Sequence, residues 1–180
     1  MKIYCATSNP GKLREFQLAA PDFEIVPVLL PAPEETGTTF EENALLKARY
    51  YGAHADGYLF VDDSGIEVDA LGGRPGVDSA HFDNAWLLER LRGVIDRTAK
   101  FVCVIALVRK GDEPRIFRGV VDGTVTEAPC GTNGFGYDPI FFYQPFGCTF
   151  GEAGTDAKMR VSHRAQALQK MFTFLRSASI

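Results

Sequence analysis

Phe101-Val102-Cys103-Val104-Ile105-Ala106-Leu107-Val108 is an unbroken apolar run without polar alternation. A strand with one wet face alternates, so this run predicts a strand covered on both faces at the centre of a sheet. Lys110-Gly111-Asp112 turns the chain, and Arg115 to Thr126 returns as one long or bent strand, which makes a hairpin with its predecessor. The sheet is therefore expected to be mixed, and the fold α/β.

Upstream, Ile3 to Ala6 reads as a short strand followed by Thr7-Ser8-Asn9-Pro10-Gly11-Lys12. There Ser8 or Asn9 can cap a helix whose first residue is Pro10, which lacks the N–H that a first turn leaves unused. Phe23 to Leu30 resembles a second strand, placed at an edge or bend by Pro27. Pro31 to Gly37 is a loop. Thr39-Phe40-Glu41-Glu42 has capping-box spacing, predicting a helix to about Ala55 with Phe40, Ala44, Leu45, Ala48 and Tyr51 near one face. Tyr58 to Val61 reads as a strand ending in an acidic turn, Asp62-Asp63-Ser64-Gly65, and Ile66 to Ala70 alternates like another strand. Leu71 to Gly76 is an irregular loop, and Trp86 to Leu91 a short amphipathic helix. The glycine-rich stretch Gly131 to Gly136 feeds an aromatic strand, Asp138 to Tyr143, and Ser162 can cap a last helix with Ala165, Leu168, Phe172 and Leu175 inward.

The chain has 180 residues and is 46% hydrophobic, enough for one well-buried core in a single domain, 1–180, or one domain with two lobes. A formal net charge of -4, with no long basic run, argues against nucleic-acid or membrane partners, so an anionic ligand must be small and held locally. The first residues form too short an apolar run for a signal peptide, and no stretch approaches a membrane span, so a soluble cytoplasmic protein is expected. Cys5, Cys103, Cys130 and Cys148 form no C-x-x-C pair, which disfavours zinc and thioredoxin-type chemistry.

Two adjacent carboxylates where an apolar run ends want a cation. A Mg²⁺ site takes one or two carboxylates, keeps several waters and lets substrate phosphates complete its shell. Candidate ligands are Glu34, Glu35, Asp62 and Asp63, with Glu42 also possible; a carboxylate left over could orient or deprotonate an attacking water. The turn from Thr7 to Lys12 brings hydroxyls, an amide and helix N-terminal N–H groups to one point, where an anion such as a triphosphate can bind, although the P-loop spacing is absent. Lys47 is a surface lysine by its spacing, or else a phosphate contact. Gly134-Phe135-Gly136-Tyr137-Asp138 lets backbone approach a ligand and offers Phe135 and Tyr137 as rings for stacking a base, or else is a turn with core aromatics. Lys158, Ser162, His163 and Arg164 gather cations at a helix start, against the helix dipole, a conflict that a bound anion or keto oxygen would relieve.

Taken together these blocks resemble the inosine/xanthosine triphosphate pyrophosphatase family. The matching segments are Thr7 to Lys12, Glu34 to Gly37 with Thr39 to Ala44 and Lys47-Ala48, Asp62 to Gly65, Leu71 to Gly76, Gly134 to Pro139 and Ser162 to Arg164. The resemblance implies a two-lobed α/β fold with a long mixed sheet flanked by helices, an active-site cleft between lobes, a Mg²⁺ requirement and a homodimer. It implies hydrolysis of non-standard purine nucleoside triphosphates (ITP, dITP, XTP) to monophosphate and pyrophosphate. It makes Asp63 the proton acceptor and a metal ligand, with Glu34 the second ligand. Thr7, Ser8, Asn9, Pro10, Gly11, Lys12 and Ser64 would hold phosphates and sugar, while Phe135, Gly136, Tyr137, Asp138, Lys158, His163 and Arg164 would surround the nucleotide. Asp78 stands where relatives commonly carry an aromatic, His81 where they carry arginine, Ser8 where they carry glycine or histidine, and Phe82 to Asp96 is short. The competing readings are a pyrophosphatase for modified pyrimidine nucleotides and a non-enzymatic nucleotide-binding module.

Overall fold

The computed structural model describes residues 1–178. In chain order it contains β1 (Lys2–Cys5), α1 (Pro10–Ala19), β2 (Glu24–Pro27), α2 (Phe40–Gly52), β3 (Tyr58–Val68), α3 (Asn84–Arg90), β4 (Thr98–Arg109) and β5 (Arg115–Val125). It ends with β6 (Phe141–Tyr143), β7 (Cys148–Thr149), α4 (Thr155–Lys158) and α5 (His163–Ala178). The strands form a seven-stranded sheet in the order β2-β1-β3-β4-β5-β6-β7. β1 pairs parallel with β2 and β3, and β6 pairs antiparallel with β5 and β7, so the sheet is mixed as the hairpin predicts.

β4 holds the fourth position, and Phe101 to Val108 are all buried, which matches their lack of alternation. β2 lies at a sheet edge and ends at Pro27, a residue without an N–H to give to a ladder. Two expectations fail. Asp62 to Gly65 form no turn: β3 continues through them for 11 residues. The stretch from Asp138 is a 3-10 turn as far as Ile140, with Pro139 in its first turn, and only Phe141 to Tyr143 are strand.

The chain divides into two compact units, each gathered from separated segments: Met1–Asp63, Cys103–Gly119 and the described residues from Arg164 onward in the first, Ser64–Val102 and Val120–His163 in the second. In the first, Phe16 of α1 meets Phe60 of β3 edge-on at 5.0 Å between ring centroids, and Phe172 of α5 stacks on Phe23 at 4.8 Å. Cys5 and Cys103 are buried there, and burial, reinforced by Asp62, pushes both thiols up to about 12, as expected of structural cysteines. In the second, Ile66, Val68, Leu87, Leu91, Phe101, Val121, Phe141 and Phe150 form one apolar cluster. Among the described residues no helix is long and apolar enough to cross a membrane.

Gly65 is required by packing within β3. A Cβ at this position would come within 2.3 Å of Ser79 Oγ and 2.5 Å of the Gly76 carbonyl oxygen. The Ser79 hydroxyl accepts from Ile66 N at 2.9 Å and donates to Gly76 O at 2.6 Å, so its position is fixed and cannot yield.

Candidate active site

Asp62 and Asp63 are consecutive strand residues, so they face opposite sides of β3, and different elements cover each. Asp62 is 3% exposed and meets Lys12 of α1 at 3.1 Å and Arg164 of α5 at 3.5 Å. Arg164 also donates to Glu15 of α1 at 2.5 Å. Burial alone would raise the Asp62 carboxyl, but Lys12, Arg164 and Lys47 outweigh it and hold the group down at about 2. Asp62 is thus a permanently charged anchor, with its charge answered by cations.

Asp63 faces α2. Lys47 Nζ donates to Asp63 Oδ1 at 2.8 Å, to the Asp62 carbonyl at 2.8 Å and to Glu35 at 3.2 Å. Asp63 Oδ2 is buried and has no hydrogen-bond partner among the described residues. Burial raises the Asp63 carboxyl to about 6; Lys47 opposes this and Glu35 adds to it. Burial works against the Lys47 charge too, yet Asp63 and Asp62 keep its ammonium above its ordinary value.

Lys47 is not the surface lysine its spacing suggested, for it is 8% exposed. The signal for it was present. The buried residues of α2 include Phe40, Asn43, Ala44, Lys47, Ala48 and Tyr51, an i, i+3, i+4, i+7 stripe that carries a lysine in its middle. Glu42 is spent on the capping box: Thr39 Oγ1 accepts from Glu42 N at 3.1 Å, while Glu42 Oε2 accepts from Thr38 N and Thr39 N. Those backbone donors and the Thr38 hydroxyl lower the Glu42 carboxyl. Glu34 is exposed on the loop before α2 and makes no hydrogen bond or ion pair among the described residues; Glu35 is the loop carboxylate that reaches Lys47.

At the N-terminus of α1, Asn9 is the cap, with Oδ1 accepting from Gly11 N at 2.9 Å and Lys12 N at 3.1 Å. Asn9 N in turn donates to Thr7 Oγ1 at 3.2 Å, and Ser8, Asn9 and Pro10 are exposed.

The second unit contains the other expected residues. Lys158 Nζ donates to Asp138 Oδ2 at 2.6 Å with both side chains 2% exposed, and it lies 4.9 Å from the Phe135 ring centroid. Asp138 Oδ2 also accepts from Phe135 N at 2.9 Å. His163 stacks on Phe101, ring centroids 4.7 Å apart. Ser64 is half-buried within β3. Tyr137 is buried, its ring in the apolar cluster and its hydroxyl 2.8 Å from Ser79 O and 2.9 Å from Phe82 O, so of the two expected rings Phe135 is the more exposed. The cations near the start of α5 are met by carboxylates: Lys158 by Asp138, and Arg164 by Glu15 and Asp62.

Fold and site together define a mixed α/β protein built on an acidic central strand, one carboxylate of which is buried under a lysine. The chain belongs to the Ham1 family, whose model matches residues 3–174. It is 46% identical to a dITP/XTP pyrophosphatase of Exiguobacterium sp. over 186 residues, 95% of each chain. It is 42% identical to the protein of that name from Thermus thermophilus, covering 95% of this chain and 90% of that one. Among solved structures, the Ham1 protein of Staphylococcus aureus superposes with a TM-score of 0.86 at 35% identity, covering 99% of this chain and 100% of that one. A HAM1 protein from Coxiella burnetii gives 0.87 at 37% identity, with 98% and 99% covered.

Proposed function

We propose that this chain hydrolyses non-standard purine nucleoside triphosphates, ITP, dITP and XTP, to the monophosphate and pyrophosphate. The observation that carries the reading is Asp63, a buried carboxylate raised to about 6 with one oxygen unpartnered, in a chain so similar to proteins named dITP/XTP pyrophosphatase. A general base works best with a pKa near the working pH, and burial has moved this one toward it. Asp63 accepts the proton of the attacking water. Lys47 holds Asp63 Oδ1, which leaves Oδ2 as the oxygen free for that task or for a cation. Thr7 to Lys12 take the phosphates. Phe135, Asp138, Lys158, His163 and Arg164 read the base and sugar end.

The residues fit a hard divalent cation. Asp63 Oδ2 is a buried carboxylate oxygen without a donor among the described residues, and Glu34 and Glu35 on one exposed loop would supply further carboxylate oxygens. Mg²⁺ needs few protein ligands and keeps several waters, so a small set of carboxylates suffices for it. Bound with Asp63 and Glu34, Mg²⁺ supplies charge neutralisation for the phosphate oxygens.

Discrimination follows from hydrogen-bond pairing. Hypoxanthine and xanthine carry a 6-keto acceptor where adenine carries an amino donor, so a site offering donors leaves adenine unpaired. Purified protein with Mg²⁺ is expected to release pyrophosphate from ITP, dITP and XTP at least about a hundredfold faster than from ATP. Comparable rates, or orthophosphate as product, would overturn the reading. We further assign residues 1–180 to one functional domain acting in the cytoplasm as a homodimer, which sedimentation reads as twice the 19.8 kDa chain.

The cation can be seen apart from turnover. The folded Asp63 carboxyl is raised, so the fold favours its protonated form, and ionising it costs stability that grows from about pH 4 to about pH 6. Above that range a divalent cation meets an ionised carboxylate; below it, the cation competes with a proton. MgCl₂ should therefore raise Tm by several degrees at about pH 7.5 and little at about pH 5. An equal shift at both pH values, or one retained in Asp63→Asn, would remove Asp63 from the cation site.

A further inference from the structure

The loop from Gly134 to Asp138 is tied to the segment 79–84 at two points. Tyr137 Oη lies 2.8 Å from Ser79 O and 2.9 Å from Phe82 O. Asn84, the first residue of α3, donates from Nδ2 to the Gly136 carbonyl at 3.2 Å. Gly134 and Gly136, on either side of Phe135, both have left-handed φ, +71° and +58°, so the ring projects from a backbone with two glycine pivots. On the Gly134 side the backbone is fixed by Asp138, which accepts from Phe135 N. On the Gly136 side, Asn84 is the side chain that holds the carbonyl.

Asn84 is an expensive choice for this place. Asn84 is half-buried, but its Oδ1 is buried without a hydrogen-bond partner among the described residues, and an unsatisfied buried acceptor is destabilising. The amide cannot simply turn over, since that would set Oδ1 against the Gly136 oxygen. A leucine has the same branched shape and heavy-atom count and carries no acceptor to leave unsatisfied. We propose that Asn84 is a positioning residue for the base: it fixes the Gly136 carbonyl, and through it the orientation of Phe135, at the expense of stability. The inference rests on the reading of Phe135 as a base-contacting residue. The same hydrogen bond leaves the Asp63 chemistry untouched, so its loss acts on binding.

The test compares Asn84→Leu and Asn84→Ala with the wild type by steady-state kinetics on ITP and by thermal melting. Asn84→Leu should raise KM about fivefold to tenfold, the effect of one lost hydrogen bond, with kcat within about twofold and Tm unchanged or higher. Asn84→Ala should show the same KM change with a lower Tm from the lost side-chain packing. An unchanged KM in both variants, or a fall of kcat and Tm together at constant KM, overturns the proposal. Calorimetric titration with ITP in EDTA separates the two readings. If the wild type binds ITP in EDTA but releases no pyrophosphate when Mg²⁺ is supplied, the proposed activity fails, and a weaker Kd in Asn84→Leu still upholds Asn84; an unchanged Kd refutes it.

Discussion

Asp63→Asn is expected to lower pyrophosphate release by about 10²–10⁴-fold, the range of a lost general base, while the protein remains folded. The fold already favours an uncharged group at this position, since burial lifts the carboxyl to about 6. An amide of the same shape therefore carries a smaller desolvation cost than the ionised carboxylate near neutral pH, and Lys47 keeps the Asp62 carbonyl and Glu35 as acceptors. Tm measured without added cation should be equal to the wild type or higher. Activity lost with a large drop in Tm would mean that Asp63 is a structural residue, and full activity would exclude it from the chemistry.

Asp62→Ala has the opposite signature, a large loss of stability. Removing one partner from a buried ion pair leaves the others uncompensated, a change that costs about 3–5 kcal/mol. Here Lys12 loses its carboxylate and Arg164 is left with Glu15. Urea denaturation at neutral pH measures the difference, and a loss below about 1 kcal/mol would show that the network is not structural. The pH dependence has a defined sign. The folded Asp62 carboxyl, at about 2, lies below the ordinary 3.8, so its contribution is present in full above the ordinary value and is lost as pH falls through about 2. The stability of the variant should accordingly fall less steeply with acid than that of the wild type.

The sheet could be read from the chain because its determinants are local. The all-apolar Phe101 to Val108 requires cover on both faces, Pro27 marks an edge, and Thr39 with Glu42 closes a box within one turn. The site is less legible, because its partners are far apart along the chain. Acidic residues are depleted from strands, so Asp62-Asp63-Ser64-Gly65 looks like a turn in isolation. Lys12 and Arg164, about 50 and 100 residues away in sequence, neutralise Asp62 and let β3 pass through. The spacing of Lys47 points to the surface, whereas its place on the apolar stripe of α2 buries it. Tyr137 takes the alternative of a core aromatic, and its hydroxyl meets the Ser79 and Phe82 carbonyls, contacts that no spacing rule encodes.

The segmented make-up of the two units sets an order of assembly on the ribosome. The second unit has all its residues once position 163 has been translated, whereas the first lacks its third segment until the last helix follows. Until then Asp62 has no Arg164, and a strand carrying a half-compensated charge has little reason to close over it. Residues 1–63, translated before the second unit, are thus expected to become native after it. A nascent chain arrested before α5 should remain protease-sensitive around β1 and α1 while its central portion is already protected.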